Sequence, residues 1–301
     1  MLIAVTGATG LIGSTLLPRL TEAGHKVRRL ARTASPDGAD ADQLSYWNPA
    51  KGVLDKDALK GVDAVIHLAG ESVAARRWTA PVKARIHDSR THGTALLAQR
   101  MADMDRPPKV FVSASAVGYY GSRGGTPLTE QNGAGEGFLA RVCRDWEAAA
   151  TPAAEAGVRV VHPRIGMVLD PEGGALAKML PPFRMGLGGV IGDGRAWMSW
   201  ISLPDLVEVL LALAVQDRFT GPVNATAPEP VTNQDFTKTL AAVLRRPAFL
   251  PVPAPAVRLL FGEMGGALLL SSLRVLPEKL GNAGHRFGHA TLEPALRDLL
   301  G

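Results

Sequence analysis

Short apolar runs alternate with longer stretches of helical periodicity through the first half of the chain. The helical stretches cover residues 11–23, 80–104 and 138–156. The runs between them are short and β-prone, as in the buried strands of parallel sheets. They cover residues 2–6, 26–31, 64–69, 109–113 and 159–163. This alternation predicts the α/β fold class, with a Rossmann-type, doubly wound parallel sheet.

The second half of the chain has a different composition. Glycine and proline are frequent from 171 to 198, which predicts long loops around one short helix. The elements predicted after these loops are a helix at 204–215, a strand at 222–226, a helix from Thr232 and Asp235 to 244, an extended segment at 247–255 and a mostly helical remainder.

This change of composition predicts two structural regions. We expect residues 1–170 to form the sheet domain and residues 171–301 to form a smaller, mostly helical C-terminal substrate lobe. Residues 206–226 are expected to return to the sheet.

A glycine-rich turn joins the first predicted strand to the first predicted helix. Gly7, Gly10 and Gly13 have the spacing G-x-x-G-x-x-G. Glycines in such a turn let the chain reverse tightly, let the backbone approach a pyrophosphate and let the helix pack closely on the sheet. The amide groups at the helix N-terminus favour the phosphates. With a strand before it and a helix after it, the turn predicts a dinucleotide site, and a purely structural turn is the alternative.

The end of the second predicted strand indicates which dinucleotide binds. A site for NAD(H) places an acidic residue there, against the ribose 2′-hydroxyl. This chain has Arg28, Arg29 and Arg32 instead, and its next acidic residue is Asp37. A guanidinium at Arg32 can bind a 2′-phosphate through two hydrogen bonds. The sequence therefore predicts NADP(H) as the cofactor.

Composition and charge exclude several other classes of protein. The net charge is +5, but no long run of like charges exists, so we expect no nucleic-acid partner. Cys143 is the single cysteine and the histidines show no ligand spacing, so we expect no metal. The apolar stretch 206–215 is too short to span a bilayer, and no secretory signal is visible. We expect a cytoplasmic monomer or homodimer, with no membrane partner, that acts on a small molecule.

Motifs along the whole chain are similar to those of a known family. They lie at 6–13, 67–71, 77–78, 89–90, 113–121, 145–147, 164–169, 199–201 with Asp205, 221–228, 262–264 and 274–277. On these motifs the sequence resembles the extended short-chain dehydrogenase/reductases. More narrowly, it resembles the nucleoside-diphosphate-sugar epimerase-like family with its characteristic C-terminal domain.

The resemblance implies a set of cofactor contacts. They are Gly7, Thr9, Gly10, Leu11, Ile12, Gly13, Arg32, Leu68, Ala69, Gly70, Glu71, Arg90 and Val168. Residues 68–70 also follow a predicted buried strand at its carboxyl end, where ligands of open α/β sheets bind. His67, just before them, is expected to be a core residue.

The catalytic pattern of a reductase is incomplete in this sequence. Such an enzyme uses a Ser or Thr to bind the reacting oxygen, a Tyr to transfer the proton, and a Lys four residues later to lower the pKa of that Tyr. Ser115 matches the first role. An alignment anchored on Glu147 places Leu139 at the Tyr position and Cys143 at the Lys position. Cys143 is expected to be a small core residue rather than a nucleophile.

Two adjacent tyrosines could replace the missing acid. Tyr119 and Tyr120 follow Ser115 closely, and Tyr119 lies four residues before Arg123. Both tyrosines are catalytic candidates beside Ser115, and packing over the site is the alternative.

The glycine-rich loops of the second half carry candidate substrate contacts. Arg195 and Trp200, with Ser113 from the sheet, are expected to contact the substrate. Packing is the alternative for Trp200, and a helix cap is favoured for Asp205. Two functions stay open: an NADP(H)-dependent oxidoreductase or epimerase acting on an unidentified small molecule, and a non-catalytic NADP(H)-binding sensor or regulatory protein.

Overall fold

The computed structural model describes residues 1–32 and 44–301. The strands and helices that the apolar pattern predicts occur along it in the predicted order, with further short strands between them. The strands are β1 (Leu2–Thr6), β2 (Lys26–Ala31), β3 (Leu44–Asn48), β4 (Val53–Leu54), β5 (Ala64–His67), β6 (Val110–Ser113), β7 (Ser115–Ala116), β8 (Pro127–Leu128), β9 (Arg159–Ile165), β10 (Met167–Leu169), β11 (Trp197–Met198), β12 (Trp200–Ser202), β13 (Gly221–Ala225), β14 (Val231–Thr232) and β15 (Arg274–Val275).

Most of the helices are longer than the strands. They are α1 (Leu11–Glu22), α2 (Ala80–Ala102), α3 (Phe138–Ala148), α4 (Thr151–Glu155), α5 (Gly174–Arg184), α6 (Leu203–Val215), α7 (Asn233–Leu244), α8 (Ala254–Leu269), α9 (Glu278–Asn282) and α10 (Leu292–Leu300). Two short 3₁₀ turns lie at Pro49–Lys51 and Val117–Tyr120.

The main sheet confirms the predicted fold class. Within the described residues its strand order is β13-β9-β6-β5-β1-β2-β3-β4, with β7 beside β9. Apart from β3 and β4, the paired strands run parallel. The chain moves outward from β1 to β2 and β3, and then crosses back to β5 on the other side of β1. In open α/β sheets, the crevice at such a reversal is where ligands bind.

Alternation along the strands builds a core on each face of the sheet. Ile3 and Val5 of β1 pack in one cluster with residues of α1 and α6, whereas Ala4 packs in a second cluster with residues of α2. Successive side chains of a strand point to opposite faces, so one strand serves both clusters. Helices therefore cover both faces, which places the ends of the strands at the edges of the molecule.

A third cluster lies away from the main sheet. It joins residues of α5, α7 and α10 around the fully buried side chains of Trp200 and Leu240. Between α5 and α7 the chain returns to the sheet, because β13 pairs with β9 and α6 packs against α1.

The structure differs from the predicted elements at several points, of which three concern longer segments. The helix predicted at 138–156 is two helices, α3 and α4, because Pro152 has no amide hydrogen with which to continue the first one. The residues predicted to be extended at 247–255 include the start of α8. Strand β3 was not predicted at all, because its sequence, Leu-Ser-Tyr-Trp-Asn, has too few apolar residues for a buried run.

Candidate functional site

The glycine turn lies at the switch point of the sheet, directly after β1. Gly7 has a positive φ of 70°, and a Cβ there would lie 2.9 Å from the backbone nitrogen of Ala69. A Cβ on Gly13 would lie 2.2 Å from the carbonyl oxygen of Gly7. Gly10 is the N-cap of α1 and no side chain caps this helix end. The turn is thus a close-packed cradle that only glycine can build, with uncapped helix amides above it.

Thr6 fastens the turn to the loop after β5. Its hydroxyl accepts hydrogen bonds from the backbone nitrogens of Leu68 and Ala69, at 3.2 and 3.3 Å. The same oxygen lies 2.6 Å from Nδ1 of His67 and donates its hydrogen to that nitrogen. Burial, and then the charge of Arg90, lower the pKa of His67 to about 3. His67 is therefore a neutral core histidine that holds Thr6 in place.

Arg90 supports the other end of that loop from α2. Its Nη1 donates to the carbonyl oxygen of Glu71 at 2.9 Å, and its guanidinium lies 5.1 Å from the ring centre of Trp146. A Cβ on Gly70 would lie 3.3 Å from the guanidinium carbon. Burial lowers the pKa of Arg90. The structure brings Gly70, Glu71 and Arg90 together at the carboxyl edge of the sheet.

The remaining side of the cradle is apolar. Leu11, Ile12, Leu68 and Val168 are partly buried and pack on the same core cluster. The side chain of Leu11 also fills the space beside Gly173, where a Cβ would lie 2.6 Å from it. The start of α1 is therefore in contact with the segment that follows β10.

Arg32 lies just past the end of β2 and is exposed. β1 and β2 pair in parallel with Thr6 opposite Leu30, so Arg32 is at the same edge of the sheet as the glycine turn. Arg28 is directed elsewhere, because its Nη1 donates to the carbonyl oxygens of Asp57, Ala58 and Lys60. Asp37, the next acidic residue, lies outside the described residues.

A buried ionic network lies behind the carboxyl ends of β7 and β9. Ser115 donates a hydrogen bond of 2.7 Å to Oε1 of Glu147. Arg164 binds both carboxylate oxygens of Glu147, each at 2.9 Å. The Arg164 side chain is only 3% exposed. Burial lowers the pKa of Arg164, but the hydrogen bonds and charge of Glu147 outweigh burial and raise it above its usual value.

The same guanidinium contacts both tyrosines of the 3₁₀ turn. Its Nη1 donates to the hydroxyl of Tyr120 at 2.9 Å, and that hydroxyl donates to Oδ1 of Asn224 at 2.7 Å. The guanidinium carbon lies 3.4 Å from the ring centre of Tyr119. Arg123, the cation that sequence spacing indicated for Tyr119, instead donates to the carbonyl oxygens of Gly133 and Ala134.

The position of Tyr120 does not fit the catalytic role predicted for it. Its side chain is fully buried, with both hydrogen-bonding partners in the core. Burial raises its pKa, although Arg164 acts in the opposite direction. A fully buried phenol with a raised pKa keeps its proton, and the position of Tyr120 is that of a structural residue. Tyr119 remains partly exposed.

Leu139 and Cys143 face the 3₁₀ turn from α3. Both lie near Gly118, where a Cβ would be 3.3 Å from Leu139 Cβ and 3.9 Å from Cys143 Sγ. Burial raises the pKa of Cys143 to about 11, and the charge of Glu147 adds to this shift. The thiol is therefore protonated and packed in the interior, the setting of a core residue rather than a nucleophile.

Two of the predicted substrate contacts are buried. Trp200 is fully buried in the third cluster and donates from Nε1 to the carbonyl oxygen of Glu229 at 3.0 Å, so packing accounts for it. Ser113 is also fully buried, beside His67 in the sheet. Arg195 is exposed. Neither Trp200 nor Ser113 reaches a surface that a substrate could touch.

Asp205 is not the helix cap that its position after Pro204 indicated. Ser202 caps α6, accepting from the backbone nitrogen of Asp205 at 3.2 Å. The Asp205 carboxylate accepts from the backbone nitrogens of Gly288 and His289, at 2.7 and 2.9 Å. It therefore ties the C-terminal segment to the start of α6.

A family assignment follows from comparison with known proteins. The model of the NAD dependent epimerase/dehydratase family matches residues 3–225, and a domain of unknown function, DUF1731, matches residues 252–299. The chain belongs to the NAD dependent epimerase/dehydratase family. The match runs from the second residue of β1 to the last residue of β13, so it includes every strand of the main sheet.

Members of the family resemble this chain over its whole length. The epimerase family protein Mb2239 of Mycobacterium bovis is 44% identical over 98% of this chain and 96% of its own. The human epimerase family protein SDR39U1 is 34% identical over 100% of both chains. A crystal structure of the human protein (isoform 2) with NADPH has a TM-score of 0.89 at 33% identity, over 99% of both chains.

More distant structures share the fold alone. The UDP-glucose 4-epimerase of Thermotoga maritima, crystallised with UDP-glucose, has a TM-score of 0.75 at 20% identity, over 100% of this chain and 98% of its own.

Within the part of the chain that the structure describes, no helix is long and apolar enough to cross a bilayer, and no cluster of His, Cys, Asp and Glu could hold a metal ion.

Sequence reasoning missed the roles of three residues of the site. Thr6 belongs to the glycine motif, but its role in joining two loops depends on the parallel pairing of β1 with β5. Arg164 lies inside an apolar strand, and a charged residue there is a signal that a buried partner exists. Glu147, which served only to align α3, is that partner.

Proposed function

We propose that this chain is an NADP(H)-dependent oxidoreductase or epimerase that acts on a small molecule. The observation that carries the proposal is the cradle at Gly7 and Gly13, which is too tight for any side chain and lies under the uncapped start of α1. Family membership and the NADPH in the human relative's crystal support it.

The residues around the cradle suit each part of the cofactor. Residues 7–13 would bind the pyrophosphate, residues 68–71 the two riboses, and Val168 the nicotinamide end, while Arg90 keeps the loop at 68–71 in place. Arg32 would bind the 2′-phosphate, which an NAD(H) cofactor does not have. When bound, the nicotinamide supplies or accepts a hydride.

Proton transfer needs a group near the reacting oxygen. Tyr119 is the partly exposed phenol of the 3₁₀ turn and stacks on Arg164, so we propose it as the proton donor. Ser115 is 1% exposed and already donates to Glu147. We propose that Ser115 and Glu147 position Arg164, and through it Tyr119.

The test is a titration of the purified protein with NADPH, followed by a panel of aldehydes and ketones added to the complex. We expect tight binding of NADPH and loss of its absorbance with at least one carbonyl compound. Failure of NADPH to bind would contradict the proposal as a whole.

A second function is favoured by one observation. The two positions of α3 that a reductase fills with Tyr and Lys hold Leu139 and a buried thiol, Cys143. A non-catalytic NADP(H)-binding sensor or regulatory protein would need neither group. Binding of NADPH with no oxidation across the panel would favour this alternative.

The division at residue 170, the cytoplasmic location and the monomeric or dimeric state stay predictions.

A further inference from the structure

A cavity of about 440 Å³ lies between the loop before α2, the start of α3 and the helix α8. Trp78 and Phe138 supply two aromatic walls, and Gly262 and Gly266 of α8 lie across from them. None of these residues has a place in the cofactor site described above.

The aromatic walls are fixed before any ligand arrives. Trp78 is 8% exposed and donates from Nε1 to the carbonyl oxygen of Val73 at 2.8 Å. Its ring centre lies 4.9 Å from that of Phe138, in an edge-to-face arrangement. A flat ring could contact the exposed parts of these two rings without reordering them, which lowers the entropic cost of binding.

The glycines of α8 have no side chains, so they leave space open on the opposite wall of the cavity. Gly262 has a φ of 59° and a ψ of −141°, so α8 is kinked there in a conformation that L side chains rarely adopt. A Cβ on Gly266 would have nothing within 4 Å, which means that the space beside it is open. A polyhydroxylated sugar would give up hydrogen bonds to water and find few partners on such walls. An apolar carbon ring has no such hydrogen bonds to give up.

The rim of the cavity carries an excess of positive charge. Arg258 is exposed and lines the opening. The guanidinium of Arg77 lies beside Gly262, since a Cβ there would be 3.2 Å from its Nε. The one acidic side chain in the lining, Glu263, forms an ion pair of 2.9 Å with Lys83. Arg77 and Arg258 therefore offer their charge to an anionic ligand.

The cavity is connected through Leu139 to the 3₁₀ turn that carries Tyr119, because Leu139 lies against Gly118 of that turn. Phe138 and Leu139 belong to the same apolar cluster as Trp78 and Met264 of α8. Leu139 occupies the helix position at which a reductase has its Tyr.

We propose that this cavity binds a small molecule with a flat, apolar ring system and a carboxylate. The rings lie between Trp78, Phe138 and Gly266, and the carboxylate lies against Arg258. That this molecule is the substrate rests on the proposed function; that the cavity binds it does not.

The test is calorimetric titration of the full chain with naphthoate, alone and with saturating NADPH. Neutral naphthol, of the same ring size, reports the contribution of the charge. Gly266→Leu fills the open space, and Gly281→Leu, at an exposed helical glycine that also has nothing within 4 Å, is its control. Arg258→Gln removes the rim cation that is assigned to the carboxylate and leaves Arg77, and exposed Arg286→Gln is its control.

We expect naphthoate to bind about tenfold more tightly than naphthol, because of its charged hydrogen bond. Gly266→Leu should abolish binding of both ligands, Arg258→Gln should weaken naphthoate alone about tenfold, and the two controls should change nothing. Absence of naphthoate binding, equal binding of naphthol, or unchanged binding in Gly266→Leu would overturn the assignment. Naphthoate binding without any NADPH binding would support the cavity and contradict the proposed function.

Discussion

Arg164 stacks on the ring of Tyr119, with its guanidinium carbon 3.4 Å from the ring centre. The contact places a buried cation against the one partly exposed phenol of the 3₁₀ turn. Glu147 holds the guanidinium from behind through two hydrogen bonds of 2.9 Å. A phenol so placed is oriented by the network without being buried in it.

Tyr119→Phe should therefore remove turnover and little else. The phenylalanine ring keeps its stacking on Arg164, but the proton is gone, so kcat should fall about 100-fold or more. The rate at which NADPH absorbance falls, with a carbonyl compound that the wild type reduces, measures kcat. The affinity for NADPH and the melting temperature should be unchanged, and full turnover in the variant would refute the assignment.

Tyr120→Phe should act on stability instead. Loss of its hydroxyl leaves Nη1 of Arg164 and Oδ1 of Asn224 without their partner in the core. The free energy of unfolding should fall by about 1–3 kcal/mol. Urea denaturation measures this, and Tyr119→Phe is the matched control. Equal stability of the two variants would show that the Tyr120 hydroxyl contributes nothing to the fold.

Cys143 should be unreactive in the native protein. The residue is 3% exposed, and burial raises the pKa of its thiol to about 11, so almost no thiolate forms at neutral pH. A chromogenic disulfide reagent should label the protein only after denaturation, with Cys143→Ser as the blank. Rapid labelling of the folded protein would mean that the thiol is accessible and that the core assignment is wrong.

The pKa of His67 predicts how stability depends on pH. The unfolded chain binds a proton at His67 near pH 6.5, whereas the folded chain resists it until about pH 3. The contribution of His67 to the free energy of unfolding is fully present above pH 6.5. It decreases as the pH falls, and the loss is about 3 kcal/mol at pH 4. Urea denaturation at several pH values should show a smaller acid loss in His67→Asn. Identical pH profiles would contradict the low pKa.

Local pattern was enough to predict the glycine turn and six strands of the main sheet, which are β1, β2, β5, β6, β9 and β13. The strands β1 and β2 match their predicted limits, because apolar runs and the glycines at 7, 10 and 13 act over a few residues. The Ser115–Glu147–Arg164 network could not be predicted in the same way. Its members are 17 to 49 residues apart in the chain, and only the pairing of β7 with β9 and the packing of α3 bring them together.

The tyrosines show the same limit at closer range. Tyr119 and Tyr120 are neighbours in sequence and equal as candidates, but one is partly exposed and the other is fully buried. That difference depends on Asn224, which comes from β13, more than a hundred residues later. Sequence spacing offered Arg123 as one possible cation, whereas the fold places Arg164 against Tyr119.

The choice of cofactor is the central claim, and paired titrations with NADPH and NADH test it most directly. Wild-type protein should bind NADPH more tightly than NADH. Arg32→Ala should weaken NADPH binding by about tenfold or more, through loss of charged hydrogen bonds, and leave NADH unchanged. Exposed Arg286→Ala serves as the control. Equal or tighter binding of NADH by the wild type, or unchanged NADPH binding in Arg32→Ala, would contradict the account.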